Sequence, residues 1–543
     1  MRDLLAAGRF AEAERDGRRR LAETPADDAA TMLLGVAVLR QGRPAAAAAL
    51  FRQAACLRGS DPQPLINQGV ALREAGQGQA AEAAYHRALA CAPDHPDACF
   101  NLANLHKERG DGAKALEFYD RACRLAPERA EFHYNRANLL AGCDRLEEAV
   151  AAFAAAGRQR GTTEILVNAG MALKRLGQVG AALDCFERAV AQAPDDVGAH
   201  WNRGLTRLLL GDLAGGWADY EWRWRLPDAP RLRFRQPVWA GASCAPIATT
   251  GGEAAGAPCA PIATTGGEAA GASCAPITTT GGDAGATLLL HGEQGQGDTI
   301  HGARYVPLVR ARVGTVVLAC AGSLLALMRA SFPEVTVVDL GGPLPPFDLH
   351  LPMMSLPLAF HTGADTIPAR VPYLTAPARA RPPLIDRSGG LTHVGVAWRG
   401  SAGHEGDSVR SVPLAALAPL REVAGIRLYS LQKGPDEGAF HGPARHGPII
   451  DLAPFITDFA DTAGWIGDLD LVVSVDTAVA HLAGALGRPV WIMLASVPDW
   501  RWQLDRTDSP WYPSATLFRQ DRRGDWTTVV GTIAEALRRS VSA

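Results

Sequence analysis

Small, aromatic and proline positions recur along residues 1–226 with a period that suits a helical hairpin. Small residues fall at Gly35, Gly69, Ala103, Ala137, Gly170 and Gly204, in steps of 34, 34, 34, 33 and 34. Aromatics share the register at Phe51, Tyr85, Tyr119, Phe153, Phe186 and Tyr220. Alanine follows three positions later at Ala54, Ala88, Ala122, Ala156 and Ala189, and Pro93, Pro127 and Pro194 close units. Each unit predicts two helices that approach closely at the small residue and end at the proline. The aromatic and the alanine are expected to pack on the next unit. Residues before about 28, with Ala13 and Pro25 in register, read as one more half-unit. From Thr287 the pattern changes to short aliphatic runs alternating with helical segments. Residues 287–291, 315–320, 335–339, 393–398, 426–431, 469–476 and 489–494 read as buried parallel strands. Helices are expected over 299–312 and 323–331.

The helical pattern resembles the tetratricopeptide repeat (TPR), about six repeats plus an N-terminal half-repeat. The resemblance implies an all-α solenoid that holds a peptide or protein partner. Asn67, Asn101, Asn135, Asn168 and Asn202 each stand two residues before the small residue, on the first helix of five successive units. In a TPR superhelix that face lines the groove, and a carboxamide offers both a donor and an acceptor to an extended backbone. Asn at this place also suits simple bracing between helices, and both readings stand.

Length and composition narrow the picture. At roughly 150 residues per domain, 543 residues make three or four folding units. With 47% hydrophobic and 20% charged residues the chain is globular, and 54 Lys+Arg against 57 Asp+Glu leave a net charge of −3. That balance argues against nucleic acid or an anionic membrane as partner. The longest apolar stretch, Val313–Met328, is too short and too glycine-interrupted to span a bilayer. The N-terminus has no apolar signal region, and no CxxC pair occurs, so a cytoplasmic protein without a zinc ribbon is expected. Residues 227–286 read as a linker, within which 243–285 carries 15-residue tandem repeats with Cys244, Cys259 and Cys274 in step. Its Gly, Ala, Thr and Pro cannot bury enough surface to offset ordering.

Two loops at strand ends carry the chemistry. The first, HGEQGQGDTIHGARY at 291–305, is neither a Walker A loop nor a GxGxxG fingerprint. The second, SVDTAVAHLAGALGRPVW at 474–491, places Asp476 at a strand end and Thr477 at a helix start. Such a start favours a phosphate. Gly297–Asp298, together with Asp476, Thr477, His481 and Ala485–Pro489, resembles glycosyltransferase family 9, the ADP-heptose:lipopolysaccharide heptosyltransferases. Ala478 stands where that family usually has glycine. The resemblance implies a GT-B fold of two Rossmann-like halves, 287–385 on the acceptor side and 391–543 on the nucleotide-sugar side. It gives Asp298 the role of catalytic base and places the donor diphosphate at Asp476, Thr477 and His481. The layout is also similar to bacterial TPR proteins with this C-terminal domain and, by architecture, to O-linked N-acetylglucosamine transferases. By that analogy Arg399, Arg410, Ser411, Gln432 and Lys433 face the donor.

The expectation is an inverting glycosyltransferase whose nucleotide-sugar is a substrate, with no cofactor and no metal. Its acceptor is expected to be a protein held in the TPR groove. Plainer readings accompany it. Asp298 and Asp476 suit helix caps, His481 suits a core position, and Arg410 a solvated loop. His291, Glu293 and His301 lack metal-ligand spacing. Trp500, Trp502, Trp511 and Tyr512 read as packing at a seam. A non-catalytic TPR scaffold, or a transferase acting on a lipid or saccharide, also fits the sequence.

Overall fold

A computed structural model describes residues 1–229, 234–241, 285–400, 407–434 and 449–542. The repeated cysteines Cys244, Cys259 and Cys274, with nearly all of the low-complexity stretch, lie outside the described residues. The chain divides into two compact units, Met1–Ala199 and His200–Ala543.

The first unit is all helix. A short helix Arg2–Ala6 and Phe10–Glu23 form the half-repeat. Five hairpins follow: Asp28–Arg40 with Pro44–Arg58, Gln63–Glu74 with Gly78–Cys91, Pro96–Glu108 with Gly112–Leu125, Ala130–Gly142 with Leu146–Gln159, and Thr163–Arg175 with Val179–Gln192. The turn inside each hairpin needs a left-handed residue. Gly42, Gly76, Gly110 and Gly177 supply it, and Asp144 (φ 62°) does so in the fourth hairpin. The aromatics also pack within their own hairpins: Phe51 lies over Gly35, Tyr85 over Gly69 and Phe186 over Gly170, while Phe51 and Tyr85 share a buried cluster with Leu65, Ile66, Ala98 and Leu102 of the hairpins that follow. A Cβ at Gly69 would stand 2.3 Å from the Tyr85 ring. The small residue thus makes room for the aromatic of the same unit, and a larger one would prise the two helices apart.

The second unit begins with helices Val197–Leu209, counted from His200 in this unit, and Leu213–Tyr220, then a 3-10 turn Glu221–Arg225. Two parallel sheets follow. The first comprises β1 (Thr287–His291), β2 (Thr315–Cys320), β3 (Thr336–Asp339) and β4 (Leu349–Pro352), in spatial order β3-β2-β1-β4. The second comprises β5 (Thr392–Ala397), β6 (Ile426–Ser430), β7 (Ile450–Asp451), β8 (Leu471–Val475), β9 (Val490–Leu494) and β10 (Ala515–Arg519), in order β10-β9-β8-β5-β6-β7. Their near-continuous burial explains the aliphatic runs. β4, β7 and β10 were not among the expected strands. Residues 299–312 are helical but broken, because Pro307 cannot continue the ladder of Gln296–Gly302. The C-terminal helix Trp526–Ser542 covers the second sheet, packing Trp526, Val530 and Ile533 against Val394 and Val473. Strand order reverses beside β1 in one sheet and between β5 and β8 in the other. Open α/β sheets present ligand crevices at such points, beyond the carboxyl ends of the strands.

Candidate functional site

Both motif loops lie at these reversals, and they meet. Helix Gln296–Gly302, entered from β1, packs on helix Ala478–Ala485, entered from β8. The contact is close: a Cβ at Gly297 would lie 3.0 Å from the His481 ring and 3.4 Å from Ala478 Cα. Asp298 caps its helix by accepting from Gly295 N–H at 2.8 Å. Its other oxygen accepts from Arg501 Nη2 at 2.5 Å. Arg501 is buried, bonds Asp499 at 2.8 Å, and has Met354 Sδ at 3.7 Å and the Trp500 ring at 4.3 Å.

On the other side of the seam, Asp476 Oδ1 stands 3.7 Å from His481 Nε2. Burial, with Asp499 nearby, pushes the Asp476 carboxyl up to about 6. Burial and the cations Arg501, Arg304 and Arg410 hold His481 well below the usual imidazole range, so it is neutral at pH 7. Its Nδ1 lies 2.9 Å from Tyr512 Oη, and its ring stacks on Trp502. Thr477 opens the helix without a side-chain cap, although its hydroxyl touches Ser474 at 3.1 Å. The first N–H groups of that helix therefore point to whatever lies before it, which is favourable for an anion.

The remaining donor residues sort into two kinds. Arg410 and Arg399 both approach Asp407, at 3.7 and 3.5 Å, and Arg410 lies against Gly400. Ser411 joins them, donating to Asp407 at 2.8 Å and accepting from Gly400 N–H. Gln432 is different. Its oxygen accepts from Trp398 and Arg399 N–H, and its nitrogen donates to the Arg399 and Lys433 carbonyls. A carboxamide so occupied braces the ends of β5 and β6 and has no bond left for a donor. Lys433 Nζ donates to Ala453 O at 2.9 Å.

Residues that the motif reading did not assign also converge here. Arg304 donates to Trp511 O at 2.8 Å and lies over the Tyr512 ring. His301 packs on Trp500, Trp511 and Tyr512, so the tryptophan run does pack at the seam. Glu293 has a 1% exposed side chain. Its Oε1 accepts from Arg223 Nη2 and Met354 N–H, both at 3.1 Å, and burial pushes the carboxyl up to about 7. Arg223 also bonds Glu221 at 2.6 Å and Ser355 at 2.7 Å. Sequence spacing does not mark this pair, because only the fold brings Arg223, Glu293, Ser355 and Met354 together. His291, Glu293 and His301 do not converge: His291 faces His350, Glu293 faces Arg223 and His301 faces Tyr512. No cluster of metal-binding side chains occurs among the described residues.

In the first unit the asparagine column is half-buried. Asn101 and Asn135 donate to the carbonyls of Asp97 and Glu131 one turn back, and Asn67 accepts from Gln63. Asn168 braces a neighbouring hairpin through Tyr134 Oη at 2.7 Å and Asn138 at 3.3 Å. Tyr134 donates in turn to Glu164, and both line an open cavity of about 540 Å³ with Arg129, Glu131, Arg160 and Thr162. Asn202 lies on helix Val197–Leu209 of the second unit.

Among known proteins, the tetratricopeptide-repeat profile matches residues 2–64, 66–130 and 167–221. The chain is similar to Protein FlbA of Caulobacter vibrioides, 26% identical over 397 residues, which is 68% of this chain; it spans 66% of that protein's length. Among solved structures it is similar to YrrB, described as a TPR protein with an unusual peptide-binding site. Identity there is 21%, coverage 34% of this chain and 95% of that one, and the TM-score 0.29. It is also similar to Pseudomonas aeruginosa pilF, at 18% identity, 36% and 90% coverage and a TM-score of 0.33. No helix among the described residues is long and apolar enough to cross a membrane. The profile and the paired helices agree on a TPR solenoid in the N-terminal region, the kind of structure that takes a protein or peptide partner.

Proposed function

We propose that this chain is a GT-B glycosyltransferase that moves a sugar from a nucleotide-sugar to a hydroxyl of a protein gathered by the TPR helices. The donor diphosphate would sit at Asp476 and Thr477, against the start of helix Ala478–Ala485, with Arg399 and Arg410 offsetting its charge. The acceptor hydroxyl attacks the anomeric carbon from the face opposite the diphosphate, so configuration inverts. The family resemblance makes Asp298 the base, and no divalent metal is required. The observation that carries this reading is the contact across the seam, where the carboxylate loop after β1 meets the helix start after β8.

Melting curves of the full chain with ADP-, UDP-, GDP- and CMP-sugars, each in the presence of a chelator, test the donor half of the proposal. One class should raise the melting temperature in proportion to its occupancy. Mass spectrometry of proteins from cells with and without the chain then tests transfer. Silence in both experiments would leave a non-catalytic scaffold as the reading.

A further inference from the structure

The turn Trp500–Trp502 holds a cation between the two motif helices. On one side the Trp500 ring meets His301 of helix Gln296–Gly302 edge to face, and on the other the Trp502 ring stacks on His481 of helix Ala478–Ala485. Arg501, between them, is buried, and its guanidinium is only partly engaged. Nη1 donates to Asp499 at 2.8 Å and Nη2 to Asp298 at 2.5 Å, whereas Nε is buried with no hydrogen-bond partner among the described residues. Nε and Nη2 form one edge of the guanidinium, so a single Asp298 oxygen fills half of a fork that suits two oxygens. The start of helix Ala478–Ala485 is close by: a Cβ at Gly297, the residue before Asp298, would lie 3.6 Å from Ala478 N. Burial first and Arg501 next hold His481 neutral, and Arg501 also acts on Asp476, so its charge is felt at both residues of the donor loop.

This arrangement sets a condition on the transferase reading above. A carboxylate oxygen that already accepts from a guanidinium is a poor base. We propose that Arg501 changes partners: with the donor site empty it holds Asp298, and with a nucleotide's phosphates at the helix start it turns to them and leaves the Asp298 oxygen open to the acceptor hydroxyl. The proposal rests on that transferase reading. The movement required is small. Asp499 keeps Nη1 as a pivot, while the Nε–Nη2 edge exchanges one carboxylate oxygen for two phosphate oxygens. Asp298 stays in place when Arg501 leaves, because its other oxygen still accepts from Gly295 N–H. In transfer the freed oxygen takes the hydroxyl proton as the acceptor oxygen bonds to the anomeric carbon. The bond from that carbon to the phosphate oxygen breaks, and its electron pair leaves on the phosphate beside the guanidinium. One cation thus masks the base at rest and steadies the leaving group in turnover, so the base is exposed only when a donor is bound.

The test is calorimetric binding of ADP, UDP, GDP and CMP to the full chain as wild type, Asp298→Asn, Arg501→Gln and the double variant, with folding checked by circular dichroism. Asp298→Asn removes the rival for the guanidinium, so the nucleotide that binds the wild type should bind roughly tenfold more tightly. Arg501→Gln should weaken binding, and adding Asp298→Asn to it should restore nothing. Where Arg501→Gln does not fold, Arg501→Lys takes its place in the cycle, since it keeps a charge beside both carboxylates but lacks the fork. Unchanged or weaker binding in Asp298→Asn overturns the proposal. An equal gain in the Arg501 variant also overturns it, because the effect would then be that of removing a negative charge and not of freeing Arg501. A wild type that binds none of the nucleotides overturns the transferase reading, and the partner exchange with it.

Discussion

Arg501 and Asp298 are 203 residues apart in sequence and 2.5 Å apart in space. One guanidinium thereby joins the loop after β1 to the loop that follows β9, while its other nitrogen bonds Asp499. The pairing makes Asp298 more than a helix cap, because its second oxygen reaches across the seam between the two sheets. Arg501 is 5% exposed, so removing Asp298 leaves a buried guanidinium with Asp499 as its remaining carboxylate partner.

Asp298→Ala should therefore lower stability by roughly 2–4 kcal/mol and suppress transfer, while nucleotide-sugar binding persists. Parallel melting curves with and without donor, set against transfer rates, check both. Undiminished transfer would reduce Asp298 to its cap.

Gly297 lies where the two motif helices meet. Gly297→Val should cost roughly 1–3 kcal/mol by overpacking, because its Cβ alone already lies 3.0 Å from His481. The same change should weaken donor-induced stabilisation, since it displaces the helix that begins at Thr477. Urea titration gives the first quantity. A stability equal to wild type would mean that the seam opens freely.

Glu293 gives stability a pH dependence of definite sign. Its folded-state value, about 7, lies above the reference value of 4.5, so the folded protein holds this proton more tightly than the unfolded chain does. Stability should fall as pH rises from 4.5 to 7, by roughly 3 kcal/mol from this group, and stay level above. Compared with wild type, Glu293→Gln should melt relatively higher at pH 8 than at pH 5. An equal difference at both pH values would contradict the assignment.

The asparagine column should act collectively. Asn101, Asn135 and Asn168 changed together to Ala should cost roughly 1.5–4.5 kcal/mol of acceptor binding, or about ten- to a thousandfold. Nucleotide-sugar hydrolysis by water should continue. Titration with the acceptor protein, with helicity checked by circular dichroism, decides the matter. Because Asn168 also bonds Tyr134 and Asn138, part of the loss should appear as lower helix stability.

Much of this fold is written in periodicity. Six hairpins follow from the recurring glycine, aromatic and proline, and the main strands follow from aliphatic runs. The contact of Phe51 with Gly35 and of Tyr85 with Gly69 inside one hairpin was not legible, because a period shows that two positions are related but not which pairs touch. β4 and β10 were missed for a physical reason. Leu349–Pro352 is four residues long and ends in proline, and Ala515–Arg519 alternates in burial. Asp298, Asp476 and His481 could be picked out because strand ends precede them. Arg501, Arg223 and Glu293 could not, since their significance lies in partners from other loops. Gln432 shows the opposite error: a polar residue near a crevice whose bonds are all spent on main chain.

His350 sits in β4 between two neighbours, pairing with Leu289 of β1 on one side and with Val238 on the other. Trp239 N–H donates to the His350 carbonyl, and His350 N–H to that of Pro237. Both ends of the intervening segment are therefore clamped to the same residue, about 10 Å apart by strand spacing. A segment fastened in this way can gain or lose a 15-residue copy without changing which atoms meet at either clamp. Copy number is thus hidden from the seam where Asp298 and Arg501 meet. Variants with fewer copies should melt with the wild type and keep the Asp298–Arg501 pair in place.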